Sequence, residues 1–260
     1  MSVSDESPPR VETESVLALA QSYVELGRRL SGHGVAEILQ TLTSVGCRQV
    51  AGAEDAGITR FHRGTLETIG ATSELVSSTD KLQYTLLSGP CIDAVFGEGM
   101  FHTGQLRSEA RWPQFGPQAF EATGVQSMLS YRLFVEEQGD AVTCLNFYST
   151  KPHAFDLWSQ TLGLLLATHG TLALANARAQ ERNENLKVAL ASNRQIAMAI
   201  GILMKAHQST PEDALALLRI SSQHSNRKMA KIAADIVATG ELSLPPQAGP
   251  NDEHRQAAHG

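Results

Sequence analysis

The sequence is poor in cysteine, in aromatic side chains and in long apolar runs. Its 260 residues include three cysteines, Cys47, Cys91 and Cys144, and 5% aromatics. An odd, widely spaced set with no C-x-x-C pair excludes a disulfide scaffold and reads as free thiols of a reducing cytoplasm. No stretch approaches the roughly 20 uninterrupted apolar residues that span a bilayer, so no membrane segment is expected. The opening residues MSVSDESPPR lack the basic-then-apolar layout of a secretory signal. Catalytic signatures are missing as well: there is no G-x-S-x-G, Walker loop, H-E-x-x-H or G-x-G-x-x-G. The nine histidines do not fall at ligand spacing with cysteines or acids, so neither a metal site nor a cofactor is expected. Gly97-Glu98-Gly99 reads as a turn, not a phosphate cradle.

What is present is enough apolar chain, 42% of the residues, for a sizeable core in one large or two small domains. The charge is unevenly placed. Residues 1–185 hold 13 Lys and Arg against 21 Asp and Glu, a net of −8. Residues 186–240 hold 7 against 3, a net of +4, and residues 241–260 hold 1 against 3, a net of −2. A cationic block inside an acidic protein points to a polyanion partner for that block, or to a helical segment with solvated lysines.

The two ends, 1–12 and 241–260, are polar and proline-bearing and are expected to be disordered. Residues 13–50 carry helical spacing twice, at Val16, Leu19, Ala20, Tyr23 and Leu26, and at Val35, Ile38, Leu39, Leu42 and Val45. From Asp55 the period drops to two. Strand-like runs flank the turns His62-Arg63-Gly64 and Glu136 to Asp140, which predicts two hairpins. Between them lie a loop and short helix over 79–96, broken by Gly89-Pro90, a short strand at 100–104, and a helix from Trp112 to Ala122. The predicted class is α+β, an antiparallel sheet with helices on its faces.

A long helical pattern runs from near Phe155 to about Ala206 without proline and with only Gly163, Gly170 and Gly201 as glycines. Alternating strides of three and four pick out Leu162, Leu165, His169, Leu172, Asn176, Ala179, Asn183, Leu186, Leu190, Asn193, Ala197, Ile200 and Met204. That is a heptad seam over about six heptads. Asn176 and Asn183 stand at a positions, where paired amides select a parallel two-stranded register at a cost in stability. Asn176, Ala179, Asn183, Leu186 and Leu190 are the expected homodimer seam. Two more helices follow. Thr210-Pro211-Glu212-Asp213 starts one, with Ala214, Leu217, Leu218 and Ser221 inward. Ser225 or Asn226 is expected to cap the other, which buries Met229, Ile232, Ala233 and Ile236 and ends at Gly240.

Two local patterns carry a family resemblance. Arg194-x-Ile196-x-x-Ala199-Ile200-Gly201-Ile202-Leu203-Met204, then Pro211-Glu212-Asp213-Ala214-Leu215, then Ser221-Ser222-Gln223-x-x-Asn226-Arg227-Lys228-Met229, resemble the ANTAR domain, a three-helix RNA-binding module of antitermination regulators. Gly89-Pro90-Cys91-Ile92-Asp93-Ala94, Arg111-Trp112-Pro113-Gln114-Phe115, Asn146-Phe147-Tyr148-Ser149 and Ala154-Phe155 resemble GAF sensor domains in the form fused to ANTAR domains in actinobacteria. The resemblance implies a GAF-like sensor over 13–174, a coiled-coil linker over 175–185 and an ANTAR bundle over 186–240. No acidic cluster at a strand end suits a phosphorylatable receiver. The implied protein is cytoplasmic and non-catalytic. It would sense a small molecule of unknown identity and bind structured stem-loop leader RNA to promote antitermination.

Helical RNA hides its major groove, so a small cationic face with short polar groups suits loops and shape. The candidate RNA contacts are Arg194, Ala199, Gly201, Lys205, Arg219, Ser221, Gln223, Asn226, Arg227 and Lys228. Ala199 and Gly201 read equally as helix-packing positions. Arg227 and Lys228 are placed in the first turn of the last helix, where cations oppose the helix dipole. Asp235 and Glu241, eight and fourteen residues on, are read as out of reach of Arg227. The alternative function is a GAF-type redox enzyme or thiol sensor using Cys91, placed at a short helix start where a thiolate gains from the helix dipole; the other reading of Cys91 is an inert small buried group.

Overall fold

The computed structural model describes residues 10–97, 99–135 and 141–242. The chain divides between Gln180 and Glu181 into two compact units. In the first, α1 (Arg10–Leu30) and α2 (Val35–Gln49) precede the hairpin β1 (Asp55–His62) and β2 (Thr65–Ala71). Then come α3 (Glu74–Leu86), α4 (Pro90–Phe96), β3 (Met100–Thr103), α5 (Phe115–Thr123), β4 (Ser127–Val135) and β5 (Ala141–Ser149). The strands form one antiparallel sheet in the order β2-β1-β5-β4-β3.

The period-two pattern sorts β5 between two faces. Leu145 and Phe147 join Ile58, Leu129 and Tyr131 in a core capped by α1, α2 and the start of α6 (Leu157–His207). Tyr148 and Met128 face the other way, against α3, α5 and the Trp112 segment. The result is three layers, helix on sheet on helix, with β5 buried almost throughout. Each large apolar side chain so buried stabilises by roughly 1.5–3 kcal/mol. Two glycines of α6 mark its close packing: a Cβ on Gly163 would collide with the Tyr131 ring, and one on Gly170 with the Leu42 side chain.

The second unit comprises the end of α6, α7 (Pro211–Ser225) and α8 (Met229–Thr239). The start of α7 follows from its sequence. Thr210 Oγ1 accepts from the Asp213 amide at 3.2 Å, the Asp213 carboxylate accepts from the Thr210 amide at 3.4 Å, and Pro211 fills the first helical position. Gly240, at φ 80°, ends α8. Ala199, Leu203, Ala214, Leu218, Ile232, Ala233 and Ile236 make the core.

Several expectations are corrected. α1 begins at Arg10, so residues 10–12 are helical, not a disordered end. The segment read as a loop from 79 is helical from Glu74. Asn226 does not cap α8: it ends α7 in the left-handed region at φ 51°, with its amide bonded back to the α7 carbonyls. Lys228 stands at the cap position of α8 and makes no side-chain cap bond. The turn at 136–140 and residues 243–260 lie outside the described residues. Finally, by length and composition α6 is long and apolar enough to cross a membrane, alone among the described helices. Its uncharged run, 157–177, puts Leu162, Leu166, Ala167 and Leu174 into the core of the first unit. An apolar stripe facing other protein meets the same test of length and composition.

Candidate functional site

In the first unit, α3 and α4 cover a sheet face whose centre is polar. Asp80, fully buried on α3, gathers donors. Tyr148 donates to it at 2.5 Å, Thr68 at 2.9 Å and Gln83 at 3.1 Å. The hydroxyls then run as a chain. Thr68 spends its proton on Asp80, so it accepts from Tyr84 at 2.9 Å, and Tyr84 in turn accepts from Thr59 at 2.9 Å. Burial raises the Asp80 carboxyl to about 6, even though its hydrogen bonds pull the other way. Beside this chain, Asn146 Nδ2 donates to Thr59 Oγ1 at 3.0 Å and to Cys91 Sγ at 3.3 Å. Asn146 Oδ1 and its cross-strand neighbour Ser130 Oγ are buried without a partner among the described residues. None of these polar groups except Cys91 and the Asn146 segment stood out in the sequence. The available signal was polar residues at alternate positions of strands otherwise built of apolar ones.

Cys91 sits inside that layer. Its Sγ donates to Thr59 Oγ1 at 3.1 Å, its amide bonds Gln83 Oε1 at 2.9 Å, and it is fully buried. Burial pushes the thiol well above its ordinary range, and Cys144, in the same cluster, rises to about 12. Of the two readings of Cys91, the burial agrees with the inert buried thiol and not with the thiolate: desolvation outweighs the dipole of a helix of seven residues. The other motif residues brace the fold. Trp112 Nε1 donates to Asp93 at 2.9 Å, and the Arg111 guanidinium stacks on the Trp112 ring and donates to the His102 carbonyl at 2.6 Å. No group of three or more metal-ligating side chains occurs among the described residues.

In the second unit the candidate contacts separate by burial. Arg194, Gly201 and Lys205 are exposed along one stripe of α6, at steps of seven and four, with exposed Met198 between. Sequence reading missed Met198. Arg219 and Gln223 are exposed one turn apart on α7, and Asn226, Arg227 and Lys228 are exposed in the α7–α8 turn. Ala199 and Ser221 are buried, so they build the core and are corrected as contacts. Gly201 is the opposite case. A Cβ there would meet nothing within 4 Å, so it is not a packing position in this unit.

Arg227 also departs from expectation. It precedes α8, and its guanidinium runs alongside the helix to pair with Asp235 at 2.6 Å. The reach denied to two residues on one helix is open to a residue in the preceding turn. That turn is pinned by Ser222, whose Oγ donates to the Arg227 carbonyl at 2.6 Å. Arg194, Lys205, Arg219 and Lys228 have no ion-pair partner among the described residues. α8 has no acid in its first turn to offset Lys228 and Lys231.

Residues 184–237 match the ANTAR domain family. No curated protein matches. Among solved structures, the photosensory core module of a phytochrome from Stigmatella aurantiaca superposes with a TM-score of 0.52 at 12% identity, covering 88% of this chain and 47% of that one. The GAF domain of a phosphoenolpyruvate-protein phosphotransferase from Coxiella burnetii gives 0.46 at 15% identity, covering 63% and 98%. A type II free methionine-R-sulfoxide reductase from Thermoplasma acidophilum gives 0.42 at 17% identity, covering 55% and 93%. The likeness to the phytochrome module is one of fold, and residues 184–237 of the second unit match the ANTAR family, an RNA-binding module of antitermination regulators.

Proposed function

We propose that this chain is a signal-responsive regulator that binds structured leader RNA as a homodimer and promotes transcription antitermination. The observation that carries the reading is the coincidence of the ANTAR match at 184–237 with a cationic three-helix unit whose exposed cations are largely unpaired. The contacts would be Arg194, Gly201 and Lys205 on α6, Arg219 and Gln223 on α7, and Asn226, Arg227 and Lys228 in the turn. Parallel pairing of α6 through Asn176, Ala179, Asn183, Leu186 and Leu190 would present two such units. The GAF-like unit would receive a small-molecule signal. The reading uses no catalytic group, and it places the protein in the cytoplasm, where three free thiols persist.

Sequencing the RNA that co-purifies with the full chain tests it. Leader transcripts with stem-loops should be enriched, and Lys228→Ala should shallow the salt dependence of binding by roughly 0.7 on a log-log plot. Recovery of RNA in proportion to its abundance, with the same salt slope for the variant, would count against the reading.

A further inference from the structure

We propose that the first unit binds a medium-chain aliphatic carboxylate in a cavity between α2, α6 and the β2-β1-β5 half of the sheet. The inference rests on the reading that this unit receives a small-molecule signal, and it names the site and the chemical class. The cavity measures about 570 Å³, within the range that holds small organic ligands. It lies on the sheet face opposite the Asp80 layer. On that other face Thr59, Asp80, Cys91, Asn146 and Tyr148 are fully buried and bonded largely to one another. On this one Ile58, Leu145 and Phe147 face the helical core, and Arg60 and Thr143, paired across β1 and β5, continue the same face by the alternation of the strands.

The walls are aliphatic. Val35 and Leu39 come from α2, Leu174 from α6 and Ile69 from β2. No aromatic ring lines the cavity, so nothing in it selects a flat ligand by stacking, and an aliphatic tail suits it. Gly70 keeps the floor open. A Cβ there would meet only Ile58, at an ordinary 3.6 Å, and the backbone is not in the left-handed region, so neither space nor conformation calls for glycine. A glycine inside a strand weakens it, and it marks a place where another group comes close to the backbone. The register slips beside it. Ile58 pairs with Gly70 and Thr59 with Thr68, which leaves Ile69 as the bulged residue. Bulges re-aim side chains and gather next to binding sites.

Charge selects the head group. The two charged side chains that line the cavity are both arginines, Arg60 and Arg178. Arg60 is held by Glu67, to whose Oε1 its Nε and Nη2 donate at 2.8 and 2.5 Å. A guanidinium carries five N–H donors, so this pair leaves three for a ligand. A carboxylate accepts two of them side by side. Aliphatic walls with two guanidiniums, one of them shared with Glu67, fit a ligand that is mostly tail with one singly charged head, rather than a phosphate. The place also suits a signal. The last core residues that α6 gives to the first unit are Leu174 and the partly buried Ala177. A ligand against Leu174 and Arg178 ties α6 to α2 and the sheet where its packing on this unit ends.

Isothermal titration calorimetry of the full chain at neutral pH, where a carboxylate is ionised, tests this with two probes. Decanoate carries the proposed tail and head, and decyltrimethylammonium carries the same tail with the opposite charge. Decanoate should bind at one per chain and at least tenfold more tightly than the cation. Gly70→Leu, which fills the floor, should keep the circular dichroism of the wild type and weaken decanoate binding at least tenfold. Arg178→Glu should weaken it by as much and narrow the advantage over the cation. No binding of decanoate, equal affinity for the two probes, or a Gly70→Leu affinity within twofold of wild type overturns the proposal. If Gly70→Leu unfolds, Arg178→Glu decides, and an unchanged decanoate affinity overturns it. No arm contains RNA, so failure here leaves the antitermination reading standing, and a failure to enrich leader RNA leaves the decanoate site standing.

Discussion

Asp80 is a carboxylate surrounded by donors and sealed from water. Those hydrogen bonds favour its anion and burial opposes it, and burial prevails, bringing it to about 6. An acid with a raised native pKa holds its proton more tightly folded than unfolded. Between the unfolded value near 4 and the native value near 6, rising pH therefore favours the unfolded chain. The loss is complete above the native value and is on the order of 3 kcal/mol by pH 7. Urea unfolding between pH 4 and 7 should show wild type losing more stability than Asp80→Asn by about that amount, and parallel curves would refute the assignment. The same seal decides the thiols. Cys91 and Cys144 should resist a thiol reagent in the native state and react on unfolding, while Cys47, half-buried, reacts first. Mass labelling over time reads this directly, and fast native labelling of Cys91 would reopen its redox role.

At the scale of the element, α6 is informative through its three glycines. Gly163 and Gly170 are required by Tyr131 and Leu42, and Gly201 is required by nothing in its own unit. A glycine inside a helix costs roughly 0.5–1 kcal/mol relative to alanine. Gly201→Ala should therefore raise thermal stability by about that much while lowering RNA affinity, since the methyl would stand on the proposed contact stripe. Higher stability with unchanged affinity would show the stripe is not a contact. Replacing Asn176 and Asn183 together by leucine should likewise raise stability while broadening the distribution of oligomers, visible in sedimentation profiles. The elements themselves were largely legible. The change of period from helix to strand at Asp55, the capping sequence at Thr210 and the proline-free run to Ala206 each state a local preference that the fold obeys. The α7–α8 turn was not legible, because Asn226 serves equally as a helix cap and as a left-handed helix end. Placing the helix two or three residues early is what hid the Arg227–Asp235 pair. The polar layer around Asp80 escaped for another reason. Its members come from β1, β2, α3, α4 and β5, and no sequence period links them.

At the scale of the whole molecule, the charge division and the proposed α6 seam call for one arrangement. An acidic first unit repels a polyanion, so affinity must come from the cationic unit, and a single small unit offers few phosphate contacts. A parallel dimer doubles them on one RNA, provided the RNA carries two sites that both units reach. The second binding event is then intramolecular, and the gain depends on geometry rather than on any new contact. For an RNA with two stem-loops, the dimer should bind at least tenfold more tightly than Asn176→Lys with Asn183→Lys, whose RNA contacts are intact but whose seam is broken. For an RNA with one stem-loop, the two proteins should bind within about twofold of each other. Gel mobility shift with both RNAs at one salt concentration separates the cases, since affinity for a polyanion is defined only at stated salt. Equal loss on both RNAs would mean the lysines disturb the contact surface itself, and no loss on either would mean that the units bind independently and the seam serves another purpose.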